Sequence, residues 1–190
     1  MIMQSWNVRG LNSRTHQSAV RRLLENHNTD FLLLQETKMS LDLMSKTVNK
    51  IWRGASHMDV AAQGASGGIV TLWNSLEWSA IEHIAWRGVL TSLFRNNVTV
   101  EHVLITNFYG SQNLDGQKRQ WKAVHNMRTS REDLDWIIAG DFNAKLSSRD
   151  QEGGTPFLDP GDRFMIAQVQ VLHLVDIKCP GINYTWTNKR

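Results

Sequence analysis

The chain has 190 residues, of which 41% are hydrophobic and 21% charged, a composition typical of one globular domain, residues 1–190, with a sizeable core. Basic residues outnumber acidic ones by 21 to 18, and the net charge of +3 is too small to indicate a nucleic-acid partner by itself. The first residues do not form a basic leader followed by a long apolar run, no segment approaches the roughly 20 apolar residues that cross a bilayer, and Cys179 is the one cysteine. We therefore expect an intracellular protein without a signal peptide, a membrane partner or an internal disulfide.

In chain order, the apolar residues switch repeatedly between the two-residue period of strands and the three- to four-residue spacing of helices. The strand-like segments are 2–8, 31–34, 69–73, 78–84, 89–94, 98–108, 136–139 and 184–187. The helical segments are 13–25, 40–51, 115–127 and 160–174, with Ser13 or Thr15 capping the first and Ser40 the second. Strands in hairpins with helices between them predict a layered α/β or α+β sandwich of mixed sheets.

Three of the predicted strands end on polar side chains of related chemistry. Asn7 closes the first strand, Glu36 follows the second, and Asp141 and Asn143 follow segment 136–139. Each residue alone is commonly a turn or helix-cap residue. If the strand ends meet at one edge of packed sheets, these side chains converge on a pocket. Carboxylate and amide oxygens without clustered Cys or His favour Mg²⁺ over Zn²⁺.

Five short motifs resemble one known superfamily. They are SWNVRGL (5–11), FLLLQET (31–37), NFYG (107–110), AGDFNA (139–144) and YTWTN (184–188). In this order they resemble the endonuclease/exonuclease/phosphatase superfamily, over nearly the whole chain. The stretches SGGIVTLW (66–73), KRQW (118–121) and GDFNAKLSSRDQEGG (140–154) are similar to the apurinic-like endonuclease domains of plant LINE-type, non-LTR retrotransposons. The resemblance implies a four-layer α/β/β/α sandwich of two mixed sheets and a Mg²⁺-dependent endonuclease that hydrolyses DNA phosphodiesters.

The resemblance also implies a role for each polar residue at the strand ends. Glu36 would be the main ligand of Mg²⁺, with Mn²⁺ as an alternative ion, and Asn7 would help to hold the metal or the phosphate. Asp141 would orient or deprotonate the attacking water, and Asn143 would donate to phosphate. Tyr109 would donate its phenol to a phosphate oxygen, although taken alone it is more often an amphipathic aromatic at a sheet rim.

The resemblance also implies DNA as the partner, and several basic residues are candidates to contact it. The candidates are Arg9, Lys118 and Arg119, with Arg14, Arg21, Arg22 and Lys122. They would track a DNA backbone if they share the face that bears the site, but a solvated helix face explains them equally well. Trp186 is better interpreted as a packing residue than as a DNA contact. A domain that acts on genomic DNA would work in the nucleus.

The sequence departs from the family pattern at its carboxyl end. Family members continue beyond YTWTN with a metal-site Asp and a last strand bearing a Ser-Asp-His motif, whereas this chain ends at Arg190 and none of its seven histidines lies in that setting. The resemblance therefore implies a domain that lacks its last strands and has severely impaired activity. An uncovered sheet edge would favour oligomerisation with another copy, and no specific protein partner is predicted.

Two other functions stay open from the sequence. The chain is alternatively a non-catalytic remnant that binds metal or nucleic acid weakly, and salt-dependent DNA binding without cleavage would favour that alternative. The superfamily also contains hydrolases of phosphoinositides, sphingomyelin and nucleotides, so a phosphatase or phosphodiesterase for a lipid or nucleotide is the second alternative.

Overall fold

The computed structural model describes residues 1–63, 66–129, 131–153 and 157–177. The strands among these residues are β1 (Met3–Asn7), β2 (Phe31–Gln35), β3 (Ala55–Gln63), β4 (Ser66–Asn74), β5 (Trp78–Trp86), β6 (Val89–Asn96), β7 (His102–Tyr109) and β8 (Asp135–Asp141). The helices are α1 (Arg14–Glu25), α2 (Leu41–Ile51), α3 (Leu114–Arg128) and α4 (Pro160–Val171), and a short 3₁₀ turn covers Ser148–Asp150.

The described strands form two sheets of four strands each. The first sheet has the order β1-β2-β4-β3 and the second the order β5-β6-β7-β8. Both sheets are mixed, since β1 and β2 are parallel, β7 and β8 are parallel, and the other neighbours are antiparallel. Among the described residues, β1 and β8 are each hydrogen-bonded to one neighbouring strand, and oligomerisation through such an edge stays a prediction.

Helices cover the outer face of each sheet. The apolar faces of α1 and α2 pack on the first sheet in a cluster that includes Val20, Met44 and Leu32. The faces of α3 and α4 pack on the second sheet around Trp121 and Met165. This burial follows from the three- to four-residue spacing of the apolar side chains, which puts them on one side of each helix.

The inner faces of the two sheets form a third apolar cluster between them. Phe94 lies at its centre, with its ring centroid 4.8 Å from that of Phe31 and 5.1 Å from that of Trp73, both in edge-to-face contacts. Burial of each such ring contributes about 2–3 kcal/mol of transfer free energy. The predicted four-layer α/β/β/α sandwich of two mixed sheets is therefore confirmed.

The structure corrects several predicted boundaries. Strand β3 was not predicted, because His57 and Asp59 interrupt its apolar pattern. The strand expected over 98–108 begins only at His102, because 97–101 forms the turn after β6. Helix α4 ends at Val171 rather than at 174. The strand expected over 184–187 lies outside the described residues.

Candidate active site at the carboxyl ends of four strands

The carboxyl ends of four strands, two from each sheet, lie together. Asn7 at the end of β1 is in register with Gln35 at the end of β2, and Tyr109 at the end of β7 is in register with Asp141 at the end of β8. Between the sheets, Nδ2 of Asn7 donates to Oδ2 of Asp141 at 2.7 Å. We call the ends of β1 and β2 one half-site and the ends of β7 and β8 the other. This hydrogen bond joins the two half-sites through residues that are 134 positions apart in sequence.

Asp141 is held by donors on both of its oxygens. Besides the bond from Asn7, its Oδ1 accepts from the backbone N–H of Asn143 at 3.0 Å. The side chain of Asn143 in turn donates through Nδ2 to the carbonyl of Gly110 at 2.7 Å. Gly140 lets β8 approach β7 closely here, because its φ is +151° and an added Cβ would overlap a carbonyl oxygen of β7. The carboxylate is therefore fixed in direction before any ligand arrives.

Glu36 lies on the loop that follows β2. Its φ is +55°, and its carbonyl accepts from the N–H of Gly10 at 2.7 Å. Its Oε1 is paired with Nζ of Lys38 at 2.8 Å, and its side chain is only 18% exposed. The loop is tied to β4 by the bond from the N–H of Thr37 to the carbonyl of Gly68 at 3.0 Å. The half-buried Glu36 carboxylate favours a positive charge beside it, and in this structure the Lys38 ammonium provides that charge.

Tyr109 faces the carboxylates of both half-sites. Burial raises the pKa of its phenol above the usual 10, the charges of Glu36 and Asp141 raise that pKa further, and the charge of Arg9 lowers it. The phenol consequently keeps its proton at neutral pH and is a hydrogen-bond donor. Glu36, Asp141 and Arg9 therefore lie close enough to Tyr109 to influence the charge of its hydroxyl.

The donor set fits a hard divalent cation. Glu36 offers carboxylate oxygens, and Oδ1 of Asn7, which accepts from the N–H of Arg9 at 3.1 Å, retains a second lone pair. In the described parts of the chain, no three His, Cys, Asp or Glu side chains are grouped as metal ligands. One carboxylate and an amide oxygen suit Mg²⁺, which keeps several waters and shares substrate oxygens, better than an ion that needs a full protein cage.

The predicted DNA-contacting residues separate in space. Arg9 lies at the site, as its influence on Tyr109 shows. Lys118 and Arg119 are exposed on α3, which packs outside the second sheet and is tied to the site by the bond from Nε2 of Gln120 to the carbonyl of Tyr109 at 2.8 Å. Trp186 lies outside the described residues.

A buried amide pair, which the sequence analysis did not single out, lies directly below the site. Nε2 of Gln35 donates to Oδ1 of Asn107 at 2.8 Å, and Nδ2 of Asn107 donates to the carbonyl of Val70 at 3.0 Å. Both side chains are 0% exposed and lie between the sheets. Gln35 precedes Glu36, and Asn107 lies two residues before Tyr109. We call Gln35 and Asn107 the amide clamp. Because each lies within two residues of a site residue and the two are bonded between the sheets, the amide clamp holds the two half-sites in register.

Removing the amide clamp should impair catalysis more than stability. We expect the double variant Gln35→Met/Asn107→Leu to unfold within about 2 kcal/mol of the wild type, since two apolar replacements leave few unpaired groups. We expect the DNA nicking that the sequence resemblance implies to fall about 10- to 100-fold, since a shift near 1 Å between the half-sites is enough for such a loss. Thermal unfolding and plasmid nicking measure the two effects.

The matched control is Thr91→Val, which removes a buried hydroxyl whose partner is Thr106 at 2.9 Å in the second sheet. A double variant that nicks DNA as well as Thr91→Val does would show that the amide clamp has no role in positioning.

The fold and the site together define a class of protein: a four-layer sandwich with carboxylate, amide and phenol groups gathered where its strands end. The model of the Endonuclease/Exonuclease/phosphatase family matches residues 5–188, and the chain belongs to this family. Enzymes of this family generally use divalent metals. Comparison with curated proteins gave no match. No helix among the described residues is both long and apolar enough to span a membrane.

Solved structures share the fold at low sequence identity. The AP endonuclease of Leishmania major is 20% identical with a TM-score of 0.66, over 88% of this chain and 65% of that one. The endonuclease domain of TRAS1, a telomere-specific non-LTR retrotransposon, is 12% identical with a TM-score of 0.69, over 90% and 71%. A 3′-5′ exonuclease of Neisseria meningitidis is 17% identical with a TM-score of 0.64, over 91% and 70%. The chain thus spans just under two thirds of the Leishmania enzyme.

Proposed function

We propose that this chain is an endonuclease-type phosphodiesterase that hydrolyses DNA with Mg²⁺ as its ion and belongs to the retrotransposon branch of its family. The observation that carries the proposal is the hydrogen bond between Asn7 and Asp141, which joins the two half-sites around the Tyr109 hydroxyl. Membership of the family supports phosphodiester hydrolysis. Arg9 at the site supports a phosphate substrate.

The residues divide the chemistry between them. Glu36 and Asn7 would hold the divalent ion, which offsets charge on the phosphate and on the leaving oxygen when bound. Asp141 orients the attacking water and accepts its proton as the water oxygen bonds to phosphorus and the bond to the leaving oxygen breaks. The bonds to both carboxylate oxygens hold Asp141 in one direction for this task.

Two donors address the phosphate. The Tyr109 phenol is protonated at neutral pH and donates to a non-bridging oxygen, where negative charge accumulates in the transition state. One hydrogen of the Asn143 amide is used by the carbonyl of Gly110, and the second is directed to phosphate in this proposal. Both donors come from the second sheet and the proposed metal ligands from the first.

The choice of DNA is supported by printed descriptions of similar structures. These include an AP endonuclease, a retrotransposon endonuclease domain and a Neisseria 3′ phosphatase bound to a product DNA hairpin. The motifs SGGIVTLW and GDFNAKLSSRDQEGG support the retrotransposon branch within that set.

Incubation with supercoiled plasmid tests the proposal. We expect Mg²⁺-dependent conversion to the nicked circle, stopped by EDTA, at a rate well below that of an enzyme with a Ser-Asp-His motif, which these 190 residues do not contain. Parallel assays with a phosphoinositide and with sphingomyelin separate the lipid alternative. Salt-dependent DNA binding with no nicking at any Mg²⁺ concentration would replace the proposal with the non-catalytic remnant.

A further inference from the structure

A basic groove of about 490 Å³ lies beside α1, outside the first sheet. We define the basic groove by its lining, which is Asn12, Arg14, Gln17, Ser18, Arg21 and Lys50. All of these side chains are polar, three carry a positive charge, and none is acidic. A polar groove with charge of one sign selects a ligand of the opposite sign.

The three cations of the basic groove lack anionic partners. Arg14, Arg21 and Lys50 form no ion pair and no side-chain hydrogen bond with any other described residue. Helix α1 also has no acidic residue in its first turn. Like charges collected in one depression repel each other, so an anionic ligand there would lower the electrostatic free energy.

Two lining residues of the basic groove are bonded to loops of the candidate active site. Nδ2 of Asn12 donates to the carbonyl of Lys38 at 2.9 Å, and Lys38 is the ion-pair partner of Glu36. Nε2 of Gln17 donates to the carbonyl of Leu11 at 2.9 Å on the loop that follows Asn7 and Arg9. A chain of phosphates that leaves the site over these loops reaches the basic groove next.

We propose that the basic groove binds the phosphodiester backbone of DNA flanking the scissile phosphate, an inference that rests on the proposed function. Helix α1 has 12 residues and is about 18 Å long, while phosphates repeat about every 3.4 Å along one strand. Arg14 and Arg21, seven residues and about 10 Å apart along α1, therefore have room to contact separate phosphates, and Lys50 on α2 adds a third positive charge to the lining. The rival surface is the basic face of α3, with Lys118, Arg119 and Lys122. This helix is also tied to the site, because Nε2 of Gln120 donates to the carbonyl of Tyr109 at 2.8 Å.

The test compares the two surfaces by the salt dependence of DNA binding. Anisotropy of a labelled 30-base-pair duplex is measured without added metal, so that cleavage does not enter. We expect Arg14→Gln/Arg21→Gln/Lys50→Gln to reduce the slope of log Kd against log salt by about 2 to 3, since each phosphate contact contributes about 0.9. The matched variant Lys118→Gln/Arg119→Gln/Lys122→Gln should change the slope by less than about 0.5.

The variants separate a loss of phosphate contacts from a folding defect and from an effect of net charge. The substituted side chains are exposed, so their replacement should not impair folding. The single variants Arg14→Gln and Lys50→Gln should each lower the slope by about one. A loss in the triple variant that exceeds the sum of such single losses would indicate a folding defect. An equal loss for both triples would reduce the effect to net charge and overturn the proposal. An unchanged slope for the groove triple would also overturn it, while leaving plasmid nicking by the wild type, and hence the proposed function, intact.

Discussion

Replacing Asp141 with asparagine should lower the rate of plasmid nicking by about 10²- to 10⁴-fold, the range lost when a positioned proton acceptor is removed. Asparagine has nearly the same shape, and its side-chain oxygen can still accept a hydrogen bond from Asn7, whose Nδ2 now donates to Asp141 at 2.7 Å. The change therefore removes the proton acceptor and leaves the link between the sheets. The N–H of Asn143, which donates to the other carboxylate oxygen at 3.0 Å, loses its acceptor, so the free energy of unfolding should fall by about 1 kcal/mol.

A matched control lies on the same strand. Asp135 is exposed at the opposite end of β8, and Asp135→Asn removes the same charge far from the site. Nicking rates are compared at equal Mg²⁺, and DNA affinity is measured beside them so that a loss of binding is not mistaken for a loss of chemistry. If Asp141→Asn nicks within a few-fold of Asp135→Asn, Asp141 is not the base.

Replacing Glu36 with glutamine should weaken binding of the divalent ion by at least about 10-fold. Removal of even an outer partner of a metal ligand commonly costs that much, and Glu36 is the proposed ligand itself. Isothermal titration with Mn²⁺ measures the affinity without any turnover. Glu77→Gln, at an exposed position that forms no ion pair with another described residue, is the control for loss of one negative charge.

Lys38 should respond in the opposite direction. Its ammonium is 2.8 Å from Oε1 of Glu36 and competes with a cation for the same oxygen. We expect Lys38→Met to tighten Mn²⁺ binding by about threefold to fivefold, the factor that corresponds to a partly exposed ion pair worth up to about 1 kcal/mol. Unchanged affinity in both Glu36→Gln and Lys38→Met would place the ion elsewhere.

Local patterns in the sequence were sufficient for most of the architecture. The helical spacing around Val20 and Trp121 and the continuous apolar run of β2 depend on burial of one face, which a sequence displays directly. Strand β3 was missed because a half-exposed outer strand needs no strict alternation, and His57 and Asp59 are tolerated there.

The candidate site was predictable in its members and not in its geometry. Asn7, Glu36 and Asp141 stand out because polar residues follow apolar strands, and the structure joins Asn7 to Asp141 by a hydrogen bond. The bond between Asn7 and Asp141 depends on how one sheet lies on the other, which no local pattern encodes. Gln35 and Asn107 carried no signal either, since polar side chains are expected in water rather than at 0% exposure.

Sequence alone also cannot show which basic residues lie near the candidate site. Arg14 and Arg21 on α1 and Lys118 and Arg119 on α3 have equal weight in the sequence, because each set is compatible with an exposed helix face. Both helices are tied to the site: Asn12, just before α1, donates to the carbonyl of Lys38, and Gln120 on α3 donates to the carbonyl of Tyr109. The salt dependence of DNA binding therefore has to decide between the two surfaces.

The loops of the site hold their shape against the intrinsic preference of their own backbone. Arg9, Glu36, Lys38 and Asn143 have φ values of 49°, 55°, 53° and 48°, a left-handed conformation that costs a residue with a side chain about 1–2 kcal/mol. Contacts elsewhere in the sandwich must offset that cost whenever the chain folds. A substitution that relaxes one of these loops should therefore raise the stability of the fold while it disturbs the arrangement of the site.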